Sequence, residues 1–235
     1  RSFFLVLFLW MVAKEKVHDK QINQSTTEPI NKYHFGYNMI FLKKLKQYDI
    51  ILASQSPRRR ALMEAADIPF RTLVRPTPET FPEDMSPVEV VKHLCRAKAD
   101  CFADELKQPD AIVITADTIV VHDEKIINKP SGPEEAFEMI NTLANSSHDV
   151  FTGVCLRHHD REIVFYDQSK VTFRALNEEE IRYYIDKYKP FDKAGAYGIQ
   201  EWIGYVGIDS IEGSYPNVMG MPVHKVYTYL ADLVN

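Results

Sequence analysis

The sequence is poor in cysteine and glycine, and both shortages exclude classes of functional site. The 3 cysteines, Cys95, Cys101 and Cys155, form no CxxC pair and have no metal-binding spacing. An odd and sparse cysteine count is typical of a reducing cytosol, so we expect a cytoplasmic protein. The chain has only 9 glycines and no glycine-rich loop ending in GK[ST], which excludes a Walker A phosphate site.

The chain also lacks an excess of positive charge and a long hydrophobic run. Its formal net charge of −5 argues against a protein that coats polyanions, so we expect no nucleic acid partner. An apolar run near the start, Phe3–Ala13, is shorter than the roughly 20 residues that a membrane helix needs, so we expect no membrane association. The run has the length of a signal-peptide core, but lysines follow it instead of a cleavage site.

The first 38 residues differ in character from the rest of the chain. After the apolar run, Lys14–Asn38 is polar and shows no hydrophobic period, whereas an ordinary globular pattern begins at Met39. We therefore predict that 1–38 is an extension that is either non-native or disordered, and that 39–235 forms the globular domain. A membrane anchor at the start of the chain is the alternative.

A basic turn follows the first clear strand of this domain. Ile50–Leu52 is an apolar triplet typical of a buried strand, and Ser56 before Pro57 is a helix-start signal. Arg58–Arg60 therefore falls in the first helical turn, at the positive end of the helix dipole, where cations are disfavoured. An anion bound among serine hydroxyls, backbone N–H groups and guanidinium groups would explain this arrangement. A solvated basic turn is the alternative.

Two further positions place a charge inside an apolar pattern. Ala111–Val121 is the strongest strand in the sequence and is apolar on both faces, yet Asp117 interrupts it. A buried carboxylate costs several kcal/mol unless it is paired, protonated or bound to a metal, so we predict a function for Asp117. Lys98 lies in the apolar stripe of a helix that starts at the capping box Ser86–Glu89. Lys98 either extends to solvent or turns inward to meet a buried anion.

Helical and strand patterns alternate along the domain. An antiparallel pair of strands is predicted in the middle, over Asp149–Arg157 and Glu162–Leu176, and a capping signal at Asn177 begins another helix. Trp202–Ile211 is predicted to be a strand. Together these patterns predict an α/β fold with a mixed sheet.

The remaining candidate site residues are also charged. Lys129 is held extended by the proline that follows it, Glu79 lies in a proline-rich loop, and Lys193 lies in a segment of small residues, Asp192–Gln200. Cations that accompany two carboxylates, without a nucleophilic cysteine or a Ser-His-Asp pattern, fit metal-assisted attack of water on a polyphosphate. Asp117 and Glu79 would hold Mg²⁺, and one of them would accept the proton of the water. The cations would neutralise charge on the phosphates.

From Ile50 onward the chain resembles the Maf family of nucleoside triphosphate pyrophosphatases, whose older name is septum formation inhibitor. The resemblance spans about residues 48–232 and is carried by ASQSPRR (Ala53–Arg59), RAKA (Arg96–Ala99), ADT (Ala116–Thr118), NKP (Asn128–Pro130), VFTG (Val150–Gly153), DKAGAYGIQ (Asp192–Gln200) and the ending GSYPNVMGMP. It implies an elongated mixed sheet flanked by helices, with two lobes around a central cleft, as in ITPase-like folds. It also implies a house-cleaning enzyme that hydrolyses a nucleoside triphosphate to the monophosphate and pyrophosphate with Mg²⁺ or Mn²⁺, and a homodimer.

The resemblance assigns roles to individual residues. Asp117 matches the catalytic proton acceptor and Glu79 matches a second acidic position, so these two residues are the predicted metal ligands. Lys98 and Lys129 match basic positions that face the phosphates and join the predicted catalytic set. The predicted substrate-binding residues are Ser54, Ser56, Arg58, Arg59, Thr118, Lys193 and Gln200.

The form of the DKAGAYGIQ motif resembles the subgroup that acts on dTTP and UTP, and not the subgroup that prefers 7-methyl-GTP. Arg58, Thr118 and Gln200 match positions tied to base choice, and the Gln200 amide suits the imide of thymine or uracil, in normal or modified nucleotides. The chain departs from the family pattern at Glu201 and Trp202, where many relatives have glycine.

Two other functions compete with the enzymatic one. A non-catalytic regulator of cell division or septum formation would bind a nucleotide or a partner without turning it over. Asp117 argues against this alternative, because an unpaired carboxylate beside phosphates would repel them in a protein that only binds. Binding of single-stranded nucleic acid through the arginines and tyrosines is weakly supported because the net charge is acidic.

Overall fold

The computed structural model describes residues 41–234. The extension predicted at 1–38 lies outside the described residues, which cover all but the ends of the domain predicted at 39–235. A helical stretch at 41–45 precedes the first strand. The strands are β1 (Asp49–Leu52), β2 (Arg71–Thr72), β3 (Ala111–His122), β4 (Lys125–Ile127), β5 (Ser147–His158), β6 (Arg161–Phe173) and β7 (Ile208–Glu212). The helices are α1 (Pro57–Ala65), α2 (Pro87–Asp100), α3 (Pro133–Leu143), α4 (Glu178–Tyr188), α5 (Trp202–Gly207), α6 (Tyr215–Val218) and α7 (Val223–Val234).

The strands form one 7-stranded sheet in the order β2-β1-β3-β5-β6-β7, with β4 paired to β3 outside this path. Strand β1 runs parallel to β2 and β3, whereas β3, β5, β6 and β7 are antiparallel neighbours. The mixed α/β fold predicted from the sequence is confirmed. The antiparallel part is larger than the single predicted pair, because β3 and β7 extend it on either side.

Local capping signals start the helices that carry the site. The Ser56 hydroxyl accepts a hydrogen bond from the backbone N–H of Arg59 at 3.4 Å, with Pro57 in the first turn of α1. Helices α2 and α4 begin at complete capping boxes based on Ser86 and Asn177. These helix starts agree with the sequence prediction. None of the helices within 41–234 has the length and apolar character that crossing a membrane requires.

Two main cores pack on the sheet and define two lobes. The first core joins α1 and α7 to the sheet and includes Leu62, Ile114 and Leu230. The second core joins α3 and α4 to the sheet and includes Ile140 and Tyr184. Because β3 and β5 contribute to both cores, one continuous sheet spans the two lobes, as the resemblance implied.

The strand predicted over Trp202–Ile211 is wrong in its first half. Residues Trp202–Gly207 form α5, and only Ile208–Glu212 forms β7. Ile203 and Gly207 are buried four residues apart, which is helical spacing, and Ile203 packs into the second core. Tertiary packing therefore overrides the strand propensity of this short apolar stretch.

Candidate active site

A cleft opens where one edge of β3 has no strand partner. Strand β1 pairs with β3 as far as Ile114, and β4 begins to pair with it only at Val120. Strand β5 covers the opposite edge of β3 over the whole interval. The carbonyl of Ala116 on the open edge instead accepts a hydrogen bond from Arg59 Nη1 at 2.9 Å. A cavity of about 510 Å³ lies at this opening.

All of the site residues predicted from the sequence line this one cavity. They are Ser54, Ser56, Arg58, Arg59, Glu79, Lys98, Asp117, Thr118, Lys129, Lys193 and Gln200. They come from separate parts of the chain. These parts are α1 and its preceding loop, the loop before α2, α2 itself, β3, the segment after β4, and the segment before α5. The fold therefore brings the predicted residues together, and their individual chemical roles remain predictions.

Lys98 points inward and joins the two carboxylates of the cavity. Its ammonium group donates to Asp117 Oδ1, which lies within strand β3, and lies 2.9 Å from Glu79 Oε1. Lys129 Nζ lies 2.9 Å from the other oxygen of Glu79. The inward orientation that the sequence left open for Lys98 is thus the one found. Asp117 is 7% exposed, so its charge is stabilised by this partner and not by water.

Glu79 is charged at neutral pH even though it lies in a loop. Burial raises the pKa of its carboxyl group, but hydrogen bonds from Lys98 and Lys129 outweigh burial and lower the pKa to about 2. The side chain is 45% exposed, so it is reachable from solvent. A charged carboxylate that is partly solvated can exchange a lysine partner for a cation brought by a ligand.

The N–H groups of Arg59 are mostly hydrogen-bonded to other parts of the protein. Its Nε donates to Gly220 O at 2.8 Å, and its Nη2 donates to Thr118 Oγ1 at 3.1 Å. Besides the carbonyl of Ala116, its Nη1 also donates to Ser54 Oγ at 3.3 Å. Burial lowers the pKa of the Arg59 guanidinium. Because a guanidinium has five N–H donors, few of them remain for a phosphate. Arg59 chiefly joins α1 to β3 and to the segment that follows α6.

Arg58, in contrast, forms an ion pair across the cleft. Its Nη1 lies 3.2 Å from Asp192 Oδ2, and Asp192 Oδ1 lies 2.7 Å from Lys193 Nζ. Asp192 lines the cavity but was not among the predicted site residues. Its position at the start of the DKAGAYGIQ motif, next to Lys193, was the available signal. Glu201, which lies 3.2 Å from Lys193 Nζ through Oε1, was missed as well.

Gln200 lines the cavity and carries a side-chain oxygen that the described residues leave without a hydrogen bond. Its Oε1 is buried and has no hydrogen-bond partner among the described residues. An unsatisfied buried amide oxygen costs free energy, which a ligand that donates a hydrogen bond would recover. Thr118 lines the same cavity, and its hydroxyl is shared with Thr152 Oγ1 at 2.9 Å.

The arrangement fits a metal only together with a substrate. Within residues 41–234, no group of three or more histidine, cysteine or acidic side chains is placed to hold a metal ion. Asp117 and Glu79 both contact the ammonium group of Lys98, so two carboxylates converge on one point. Mg²⁺ is commonly held by one or two carboxylates, with substrate phosphates and waters completing its shell. The donor set therefore suits a hard divalent cation that shares its ligands with a phosphate.

Comparisons with known proteins identify the family of the chain. The family model described as Maf-like protein matches residues 49–233. A dTTP/UTP pyrophosphatase of Flavobacterium johnsoniae is 46% identical over 192 residues, which cover 82% of this chain and 98% of the relative. Another dTTP/UTP pyrophosphatase, of Bacteroides thetaiotaomicron, is 49% identical over 195 residues, which cover 82% of this chain and 100% of the relative.

Among solved structures, the Staphylococcus aureus Ham1 protein is similar at a TM-score of 0.44 and 14% sequence identity. That similarity covers 79% of this chain and 99% of the Ham1 chain. The match of the family model spans most of the sequence and includes every residue of the cleft named above. The chain therefore belongs to the family of Maf-like proteins.

Proposed function

We propose that the protein hydrolyses nucleoside triphosphates, with dTTP and UTP preferred, to the monophosphate and pyrophosphate in the presence of Mg²⁺ or Mn²⁺. The observation that carries the proposal is the contact of Lys98 with both Asp117 and Glu79 in a cleft that also contains Arg58 and Lys129. The names of the relatives, which are 46% and 49% identical, support the choice of substrate.

In this mechanism, water attacks the α-phosphorus and the bond to the β-phosphate oxygen breaks, so that pyrophosphate leaves. Asp117 accepts the proton of the attacking water, because it is the most buried carboxylate of the cleft and lies on a rigid central strand. When bound, the metal supplies Lewis-acid stabilisation of the charge on the phosphate oxygens. Asp117 and Glu79 would hold it.

The basic residues neutralise the rest of the triphosphate. Lys98 and Lys129 already lie beside the carboxylates, where a phosphate can replace one of their present bonds. Ser54 and Ser56 stand before the N-terminus of α1, whose first-turn N–H groups favour an anion. Arg58 is available once the phosphate displaces Asp192 from it.

We assign base selection to Gln200 and its neighbours in the cavity wall. Gln200 Oε1, buried and unpaired, would accept the N–H of a thymine or uracil ring. A cytosine ring carries no N–H at that position and would leave the amide oxygen unpaired, which disfavours it. Thr118 and Lys193 line the same cavity.

A direct assay tests the proposal. The full chain is incubated with dTTP, UTP, CTP and 7-methyl-GTP, each with Mg²⁺, with Mn²⁺ and with a chelator, and pyrophosphate release is measured. We expect release from dTTP and UTP that the chelator stops and that Asp117→Asn removes. Nucleotide binding without any pyrophosphate release would contradict the enzymatic proposal and favour the non-catalytic regulator of septum formation.

A cytoplasmic location and a homodimer also remain proposals. All three cysteines are free thiols, which supports a reducing compartment. The homodimer is supported by the family resemblance alone. Light scattering on the purified full chain tests it, and a monomer mass at working concentration would contradict it.

A further inference from the structure

We propose that Glu201 is a positioning residue that fixes the base-recognition segment, defined here as Gly198–Glu201, and so contributes to the choice of base. The inference rests on the proposed function, because it concerns the same cavity. Glu201 is one of the two residues at which the chain departs from the family pattern, so the resemblance assigns it no role.

The Glu201 carboxylate bonds to two groups from different parts of the second lobe. Oε1 lies 3.2 Å from Lys193 Nζ, and Oε2 accepts the hydroxyl proton of Tyr184 in α4. Tyr184 is fully buried in the second core, so it provides a rigid anchor. The same hydroxyl oxygen accepts the backbone N–H of Gly198 at 3.0 Å. Tyr184 and Glu201 therefore hold both ends of the base-recognition segment.

We call the contacts of the Glu201 carboxylate with Tyr184 and Lys193 the clamp. Gly198 makes room for this clamp. A Cβ atom added at Gly198 would lie 2.9 Å from Glu201 Cδ, closer than real Cβ atoms approach, and 3.1 Å from Lys193 Cε, which is a tight contact. The glycine and the ion pair are thus complementary in shape. A residue with a side chain at 198 would push the carboxylate away from Lys193.

The clamp also keeps a buried lysine in place. Lys193 is only 7% exposed, and a buried ammonium group is costly unless it is paired. Glu201 is its partner on the core side and Asp192 its partner on the cleft side, at 2.7 Å. Asp192 in turn contacts Arg58 of α1. Charged contacts therefore run from the second core to the phosphate-binding side of the cleft.

Gln200 depends on this clamp because its own side-chain oxygen has no partner. With Oε1 unpaired among the described residues, the direction of the Gln200 amide is set by the backbone of the segment. That backbone closes a turn in which the N–H of Glu201 donates to Gly198 O at 2.9 Å. Releasing the Glu201 carboxylate would let the turn relax and move the amide away from the base.

The first test is Glu201→Gln in the full chain, which keeps the shape of the side chain but removes its charge. For dTTP with Mg²⁺ we expect KM to rise about tenfold, the size expected for losing one charge-assisted hydrogen bond, while kcat changes less than about twofold. The preference for dTTP over dCTP should fall by a similar factor. Glu180→Gln, which removes a surface carboxylate paired with Arg174 in the same lobe, should change neither quantity.

The second test measures binding without turnover. Isothermal titration calorimetry with an α,β-imido analogue of dTTP should give a Kd about tenfold higher in Glu201→Gln than in the wild type and unchanged in Glu180→Gln. Tyr184→Phe removes one hydroxyl from the clamp and should shift Kd in the same direction, whereas Tyr183→Phe, at an exposed neighbour, should not. If Glu201→Gln does not fold, the Kd of Tyr184→Phe tests the positioning role in its place.

The outcomes separate the two proposals. Unchanged KM, Kd and base preference in a folded Glu201→Gln protein would overturn the positioning role while leaving the hydrolase proposal intact. Binding of the analogue without pyrophosphate release from dTTP would contradict the hydrolase proposal, and the ratio of Kd values would still test the clamp. A wild-type protein that does not bind the analogue would contradict both.

Discussion

Asp117 on β3 lies directly opposite Gly153 on β5 in the antiparallel register of the central strands. Helix α2 packs directly against the sheet at this glycine, where an added Cβ atom would lie 2.9 Å from Val91 Cβ and closer still to the Val91 carbonyl. The same helix carries Lys98, which contacts Asp117. The absence of a side chain at Gly153 therefore lets the lysine reach the buried carboxylate.

Gly153→Ala should lower stability and activity together. The added methyl group meets backbone atoms of α2, which cannot move out of the way as a side-chain tip can, so we expect a loss of about 1–3 kcal/mol in the free energy of unfolding. Displacing α2 should also lengthen the contact between Lys98 and Asp117 and reduce kcat. Denaturant unfolding and a pyrophosphate assay measure the two effects. Gly132→Ala is the control, because nothing lies within 4 Å of its added Cβ.

Asp117→Asn should abolish turnover and leave the fold intact. The substitution removes the proton acceptor, which is worth about 10²–10⁴-fold in rate, while Lys98 keeps Glu79 as a charged partner. Thermal unfolding should show a native transition. The matched control is Asp123→Asn on the exposed turn after β3, which should retain full activity. Near-normal kcat in Asp117→Asn would mean that another group accepts the proton.

Gln200→Ala should change base preference more than the rate on the preferred substrate. Removing the buried amide leaves the ring N–H of thymine unpaired, so we expect the kcat/KM ratio of dTTP to dCTP to fall about tenfold or more. The proposal gives Gln200 a contact with the base and none with the reacting phosphates, so kcat should fall less. Gln168→Ala on the exposed surface of β6 is the control. An unchanged substrate profile would remove Gln200 from base recognition.

Acid should destabilise the protein through a buried histidine beside the cavity. His148 is 2% exposed, and its Nε2 lies 2.7 Å from the hydroxyl of Tyr197, a residue of the cavity wall. Burial, with a smaller contribution from His122, lowers the pKa of His148 from 6.5 to about 3. The unfolded chain therefore binds a proton below pH 6.5 that the folded chain does not bind until about pH 3.

The stability that His148 contributes is therefore fully present above pH 6.5 and is lost as the pH falls towards 3. By pH 5 the loss is about 2 kcal/mol in the free energy of unfolding. Urea unfolding at pH 7.5 and at pH 5 measures it, with His148→Gln as the comparison. The variant should lose about 2 kcal/mol less than the wild type over the same interval, and an equal loss in both would mean that His148 is not the titrating group.

Features set by neighbours in the chain could be predicted. The start of α1 at Ser56 and Pro57 follows from a hydroxyl and a proline acting within one turn, and the boxes at Ser86 and Asn177 follow from the same local geometry. The burial of β3 follows from the apolar residues on both of its faces, and Asp117 is conspicuous because it interrupts them. Motif resemblance then named most of the charged residues of the cleft, although not Asp192.

Features set by distant parts of the chain could not be predicted in this way. The sequence left the direction of Lys98 open, since a helical stripe gives the face of a side chain but not the depth at which the helix packs, and Gly153 on another strand sets that depth. The helix at Trp202–Gly207 replaced a predicted strand because the second core accepts Ile203 at helical spacing.

Capping, periodicity and ordered motifs depend on residues close together in the chain, so they were enough to predict the family, the mixed α/β class and the charged residues of the cleft. The folded chain was needed to show that β1 and β4 leave one edge of β3 open between them, and that Glu201 pairs with Lys193 and Tyr184. The physical reason is that strand pairing and buried ion pairs are selected by packing among segments far apart in the chain, where local propensity carries no information.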